Sequence, residues 1–119
     1  MSNFQTEIIP VDQNAYECFV YLGTEEKKAR NEATGKLEQA LTADGVPRWF
    51  VKVQTIRKGT GETKEIRVII NAAEKPSYKL LTLLKFSNLQ ARTYKTGSNE
   101  QPIFGVSYSA DGVEPMRRQ

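Results

Sequence analysis

Short runs in which β-branched and aromatic residues alternate with polar ones constrain this chain more than any other feature. Gly, Pro, Asn and Ser separate the runs, as is typical of strands joined by turns. A side-chain period of two suits a sheet that places one face on a core. We therefore predict an all-β fold with five strands: residues 16–22, 48–56, 64–70, 84–94 and 103–110.

The alternation also assigns a face to each side chain. Within the first run, Phe19 and Tyr21 share a face with Glu17, which suits solvent or a subunit interface as well as it suits DNA, whereas Cys18 is expected in the core. The predicted core comprises Val20, Val51, Val53, Val68, Ile70, Phe86, Leu89 and Val106. Phe86 and Leu89 have opposite parity, so burying both requires a bulge near Ser87 and Asn88.

Two connections are ambiguous. The segment 23–47 has some helical spacing and a helix-favouring content of Glu and Lys, but Gly35, Asp44-Gly45 and Pro47 interrupt it. A helix, an extended hairpin and a long loop all remain open there. Residues Lys75–Leu81 could form a short helix that plugs one end of a barrel.

The 119 residues, 39% of them hydrophobic, suffice for one modest core, so we predict one domain over residues 1–119 with flexible termini (about 1–14 and 115–119). Neither a membrane-spanning run nor a signal pattern is evident, which indicates a cytoplasmic protein. The chain has one cysteine and no histidine, and its acids fall in separate turns. We therefore expect no enzyme activity, no metal site and no cofactor.

The charge is distributed unevenly along the chain. Residues 1–23 carry a net charge of −3, residues 24–95 carry +7, and residues 96–119 carry −1. Such asymmetry favours a polyanionic partner. The segment around Lys27 and Lys28 mixes both signs, however, and is predicted to be a self-neutralising surface.

Four local patterns carry a resemblance. They are Thr34-Gly35-Lys36, Asp44-Gly45-Val46-Pro47-Arg48-Trp49, the segment from Phe86 to Tyr94, and the segment from Phe104 to Val113. Together with the strand order they resemble the single-stranded-DNA-binding-like proteins of actinobacterial plasmids, integrative elements and phages, a family that includes replication, integration and excision activators. The resemblance covers roughly residues 16–114. It implies a five-stranded OB-type barrel with a long first connection, and a role in maintaining mobile-element DNA.

Cations and rings alternate on the predicted outward faces. Arg48, Phe50 and Lys52 share one face of the second strand, and Arg92 and Tyr94 share one face of the fourth. Phosphates and unpaired bases need these two residue types. Trp49 belongs to the core if the alternation holds, and becomes a stacking platform if a bulge near Pro47 turns it outward. The predicted nucleic-acid-binding residues are Arg48, Trp49, Phe50, Lys52, Arg67, Arg92, Tyr94 and Lys95.

These features favour a non-catalytic protein that binds single-stranded nucleic acid, preferably DNA, through stacking and phosphate contacts. A duplex-binding replication or excision regulator and a protein-interaction or structural module on the same fold are the alternatives. A homo-oligomer is possible because small barrels often pair through an exposed strand.

Overall fold

A computed structural model describes residues 8–98 and 100–116 and confirms the all-β prediction, with ten strands and no α-helix in that part of the chain. A 3-10 turn, Gln13–Ala15, follows the first strand. The strands are β1 (Ile8–Pro10), β2 (Tyr16–Glu26), β3 (Lys28–Arg30), β4 (Leu37–Gln39), β5 (Arg48–Arg57), β6 (Thr63–Asn71), β7 (Leu83–Ser87), β8 (Gln90–Gly97), β9 (Pro102–Ser109) and β10 (Gly112–Pro115).

Eight strands form one mixed sheet in the order β1-β8-β9-β6-β5-β2-β7-β10, which curls through 225° into a half-barrel. Strands β3 and β4 form a separate two-stranded sheet. All five predicted runs are strands, and the fourth is divided into β7 and β8. Among the described pairs, only β6 and β9 run parallel, and they pair only where Val68 and Ile69 lie opposite Tyr108 and Ser109.

The first long strand buries the face opposite to the predicted one. Phe19 and Tyr21 are buried, whereas Cys18 and Val20 are half-buried, so the assignment of the two rings to the surface was wrong. Irregularities on either side of this stretch leave Phe19 opposite the buried Thr55 and Tyr21 opposite Val53. Burying two rings removes more apolar area from water than burying a cysteine and a valine.

The aromatic rings of the core meet edge to face. Phe19 lies 5.5 Å from Phe86 and Tyr21 lies 5.4 Å from Tyr78, measured between ring centroids, with interplanar angles of 85° and 83°. This geometry is favourable because the electron-poor edge of one ring meets the electron-rich face of the other.

Half-burial and the neighbouring Glu17 raise the pKa of the Cys18 thiol.

Six of the eight predicted core residues are buried, namely Val51, Val53, Val68, Ile70, Phe86 and Leu89. Val20 is half-buried. Val106 is 50% exposed, so its assignment to the core was wrong. Because β9 meets β6 only at Tyr108 and Ser109, the earlier part of β9, which carries Val106, follows β8 away from the core.

The irregularity predicted near Ser87 and Asn88 is confirmed and is larger than a bulge. Asn88 has a φ of 53°, a left-handed conformation that asparagine tolerates better than most residues. The strand bends there, so that β7 pairs with β2 while β8 pairs with β9. The bend lets both Phe86 and Leu89 enter the core, and the Ser87 carbonyl accepts a hydrogen bond from the Asp111 N–H at 2.8 Å.

The two ambiguous connections are also resolved. The segment 23–47 is an extended hairpin, in which β3 pairs with β4 and Leu41 bridges to Pro47. The possible helix at Lys75–Leu81 does not form. Tyr78 holds that segment against the half-barrel instead, because its ring contacts Tyr21 and its hydroxyl donates to the Val113 carbonyl at 3.1 Å.

The amino-terminal part of the described chain lies along the half-barrel. Residues Ile8–Pro10 pair with β8, and the Gln13 side chain both donates to the Phe86 carbonyl and accepts from its N–H. The rest of the termini predicted to be flexible, residues 1–7 and 117–119, lies outside the described residues. Within the described part, no helix is long and apolar enough to cross a membrane.

Two valines on this sheet should respond differently to truncation. Val53→Ala is expected to lower the free energy of unfolding by about 2 to 3 kcal/mol, because Val53 is fully buried. Val106→Ala should cost less than about 1 kcal/mol because half of that side chain is in water. Urea denaturation measures both, and equal losses of unfolding free energy in the two variants would contradict the half-exposed position of Val106.

Candidate nucleic-acid interface

A cleft of about 720 Å³ opens where β6 and β9 separate. Both strands begin at the open end, and their amino-terminal halves diverge from the short parallel contact. The outer faces of β5 and β8 continue the walls on either side. The lining residues are Lys27, Arg48, Phe50, Lys64, Glu65, Ile66, Arg67, Ile69, Arg92, Tyr94, Val106, Ser107 and Tyr108.

The cleft is strongly basic. Five cationic side chains line it, against one carboxylate, that of Glu65. Since the cations come from five sequence positions spread over residues 27–92, only folding brings them to one surface. A concave surface with one sign of charge concentrates oppositely charged ligands.

Phe50 lies at the centre of the basic wall, between two cations. The Arg67 guanidinium carbon is 4.4 Å from the ring centroid, and the Lys27 ammonium is 5.9 Å from it. Both distances are within the range of cation–π attraction, which contributes about 0.5 to 1 kcal/mol at an exposed site. Phe50 therefore orders the cations, while the guanidinium covers part of its ring.

The hairpin that follows β2 places Lys27 in the cleft. The Lys27 N–H donates to the Arg48 carbonyl at 3.1 Å, and the Arg48 N–H donates to the Ala40 carbonyl at 2.9 Å. These bonds fix the base of the hairpin to the start of β5. Partial burial, and secondarily the positive charge of Arg48, lower the pKa of Lys27.

Two further polar contacts orient the arginines. The Arg48 Nε donates to Asn71 Oδ1 at 3.1 Å, and Asn71 lies directly opposite Arg48 in the sheet. The Arg67 Nη1 donates to Glu25 Oε1 at 3.3 Å, across the Phe50 ring. Each guanidinium is thus directed by a side chain of another strand, Arg48 by one on the adjacent β6 and Arg67 by one on β2, beyond β5.

The opposite wall supplies an exposed ring. Tyr94 is 39% exposed and lies opposite Gly105, over which its ring packs so closely that a methyl group at Gly105 would overlap it. The absence of a side chain at Gly105 therefore leaves room for the Tyr94 ring. Arg92, two residues before Tyr94 in β8, lies on the same face as Tyr94 and opposite Ser107.

The structure brings five of the eight predicted binding residues together in the cleft, namely Arg48, Phe50, Arg67, Arg92 and Tyr94. Trp49 is only 8% exposed, and its indole N–H donates to the Ala72 carbonyl at 2.9 Å, so it lies inside, as uninterrupted alternation predicts. The stem of Lys52 lies over Gly23, outside the cleft lining. Lys95 lies opposite Phe104, on the other face of the β8–β9 hairpin from Tyr94.

Sequence reasoning missed Lys27, Lys64, Ser107 and Tyr108 as lining residues. For Lys27 a signal existed. β2 extends to Glu26, and Glu25 lies opposite Phe50. Since side chains alternate along a strand, Lys27, two residues after Glu25, also points towards Phe50. Its neighbour Lys28 does pair with Glu26, at 2.6 Å, as the self-neutralising interpretation expects. For residues of β9 no local signal exists, because the gap between two strands is not a property of either one.

Protein-family models give no match to this chain, and no curated protein or solved structure matches it significantly. Among the described residues, no group of three or more His, Cys, Asp and Glu side chains could hold a metal ion.

The depressed pKa of Lys27 can be measured directly. We expect the Lys27 ammonium to titrate with a pKa below that of an ordinary lysine. Arg48→Gln should raise the pKa of Lys27 part of the way back, because it removes one positive neighbour. Titration of the lysine Cε resonances by NMR reports both. An unchanged pKa in Arg48→Gln would show that Arg48 does not act on Lys27.

Proposed function

We propose that this protein binds single-stranded nucleic acid, preferably DNA, in the cleft between β6 and β9, and that it carries out no chemistry. The observation that carries the proposal is the composition of the cleft. Five cations face one carboxylate, and an exposed tyrosine ring lies on the opposite wall. Cations attract the phosphates and the ring offers a surface for a base, and single-strand binding without sequence preference requires both.

The arrangement of the two groups favours a single strand over a duplex. Tyr94 presents its ring from the β8–β9 wall, while the Arg67 and Phe50 stack forms the other wall. A strand lying between them could direct its phosphates to one wall and a base to the other. A duplex keeps its bases stacked on one another and cannot offer them to Tyr94 without paying for unstacking.

The strand order supports an OB-type barrel as the scaffold. The five predicted strands correspond to β2, β5, β6, the pair β7 and β8, and β9. In the sheet these strands lie side by side in the order first, second, third, fifth, fourth. Because the fourth strand bends at Asn88, its first half, β7, pairs with the first strand, β2. OB-folds bind oligonucleotides on the face of the second and third strands and on the loops after the first and fourth. The cleft uses β5, β6, Lys27 and the β8–β9 hairpin, which are the corresponding positions.

The resemblance to single-stranded-DNA-binding-like proteins of plasmids, integrative elements and phages adds the biological setting to the proposal. Under that interpretation the protein protects or presents exposed strands of a mobile element during replication, integration or excision.

Binding should favour a mixed-sequence single-stranded oligonucleotide over the matching duplex, and affinity should fall steeply with salt. Each phosphate neutralised releases counterions, so log affinity falls by about 0.7 per contact for each unit of log salt on a single strand. Fluorescence anisotropy at several salt concentrations measures strand preference and slope together.

Arg92→Gln should reduce that slope by about 0.7, the value for one lost phosphate contact. Lys85→Gln is the matched control, because Lys85 is exposed on β7 and does not line the cleft. Tighter binding to the duplex would support a regulator that reads double-stranded DNA. Absence of binding to either nucleic acid at low salt would leave only the protein-interaction or structural module as an interpretation of this fold.

The stacking contribution should reside in Tyr94. Tyr94→Ala is expected to weaken single-strand binding by about 1 to 3 kcal/mol with little change in salt slope, since it removes a ring and no charge. Tyr94→Phe should retain most of the affinity. Phe104→Ala is the control, because Phe104 is 61% exposed on the opposite face of the same hairpin. Equal losses in Tyr94→Ala and Phe104→Ala would exclude the cleft as the stacking site.

A further inference from the structure

Arg67 is the cation of the cleft whose head group has two described contacts at once. Its guanidinium lies over the Phe50 ring at 4.4 Å, and its Nη1 donates to Glu25 Oε1 at 3.3 Å. The sheet explains the geometry, because Glu25 lies opposite Phe50 on one side while Arg67 comes from β6 on the other. Arg67 reaches diagonally across the ring to meet the carboxylate.

Glu25 presents to Arg67 the same chemistry that a nucleic-acid strand would present. A carboxylate and a phosphate both offer anionic oxygens to a guanidinium, and both accept its N–H groups. The two anions cannot hold the same N–H at full strength. A negative charge beside Arg67 also repels any phosphate that approaches the cation.

The ion pair is weak enough to be exchanged. The side chains of Arg67 and Glu25 are 56% and 47% exposed, and ion pairs in such positions contribute little to stability. The contact with Phe50 does not depend on Glu25, so the guanidinium can stay on the ring while its anionic partner changes. Exchange therefore needs only a small rotation of two side chains.

We propose that Glu25 acts as an internal phosphate substitute, which holds Arg67 in the free protein and gives way to a backbone phosphate of the bound strand. This inference rests on the proposed function, since it concerns the ligand of the same cleft. It makes Glu25 a positioning residue that sets the affinity of the cleft for the strand.

The position of Glu25 also connects the cleft to the hairpin. Glu25 lies one residue from the end of β2, and Lys27 and β3 follow immediately. Glu26, the next residue, is paired with Lys28 at 2.6 Å. Glu25 therefore lies where the cleft meets the base of the hairpin.

Glu25→Gln should strengthen binding of a mixed-sequence single-stranded DNA oligonucleotide. We expect about a fivefold gain at low salt, the effect of removing one unit charge roughly 4 Å from a phosphate site in water. The salt slope should hardly change, because Arg67 contacts the same phosphate in both proteins once the strand is bound. Thermal stability should hardly change, since the lost ion pair is exposed.

The control variants separate Arg67 from general electrostatics. Glu114→Gln removes the same charge from β10, an edge strand that does not line the cleft, and should leave the affinity nearly unchanged. In an Arg67→Gln background, Glu25→Gln should gain less than about twofold, because the cation that it liberates is absent. Glu25→Asp should behave like the unsubstituted protein.

The outcomes separate the inference about Glu25 from the proposed function. Weaker binding by Glu25→Gln would show that the carboxylate orients Arg67 for use and would overturn the inference, as would a gain equal to that of Glu114→Gln. An undiminished gain in the Arg67→Gln background would overturn it as well. In all three cases the unsubstituted protein still binds, so the proposed function survives. Absence of binding by the unsubstituted protein at low salt would overturn both.

Discussion

The short parallel contact between β6 and β9 is the constraint on which the rest of the structure depends. Only Val68 and Ile69 of β6 lie opposite residues of β9, and beyond that contact the strands diverge. On the paired side the sheet encloses the core of Phe86, Leu84 and the inward valines. On the open side it leaves a cleft whose walls are outer faces of four strands. Core and cleft are thus consequences of one local departure from full pairing.

Because the sheet is curved, side chains that are remote along the chain converge on its outer surface. Arg48 and Phe50 arrive from β5, Arg67 from β6 and Arg92 from β8, while Lys27 comes from the hairpin docked on β5. Like charges at such proximity repel one another, and partial burial adds a cost for Lys27, whose pKa is lowered. Phe50 and the carboxylate of Glu25 offset part of this repulsion in the free protein. A bound polyanion would offset it further, which connects the electrostatic cost of the cleft to its proposed ligand.

Prediction from the sequence succeeded where one strand decides the outcome. The alternation of β5 placed Val51 and Val53 inside and Phe50 outside, and it also placed Trp49 inside when uninterrupted. The parity change between Phe86 and Leu89 required a break that the structure contains at Asn88. Prediction failed at Phe19 and Tyr21, because irregularities in β2 reverse the buried face, and a pattern of two apolar faces does not say which one is inward. It failed at Val106 because the exposure of that residue depends on where β9 leaves β6.

The amino-acid sequence by itself determined the class of fold, the positions of the five main strands, the excess of positive charge in residues 24–95 and five of the residues that line the cleft. These are properties of local alternation and composition, which need no knowledge of neighbours. Only the tertiary structure decided that Lys27 and Tyr94 face one cleft, that Lys95 lies on the opposite face of its hairpin, and that Arg67 is shared between Phe50 and Glu25. The physical reason is that strand pairing, register and curvature set distances across the sheet, and these arise from contacts between segments that no single segment encodes.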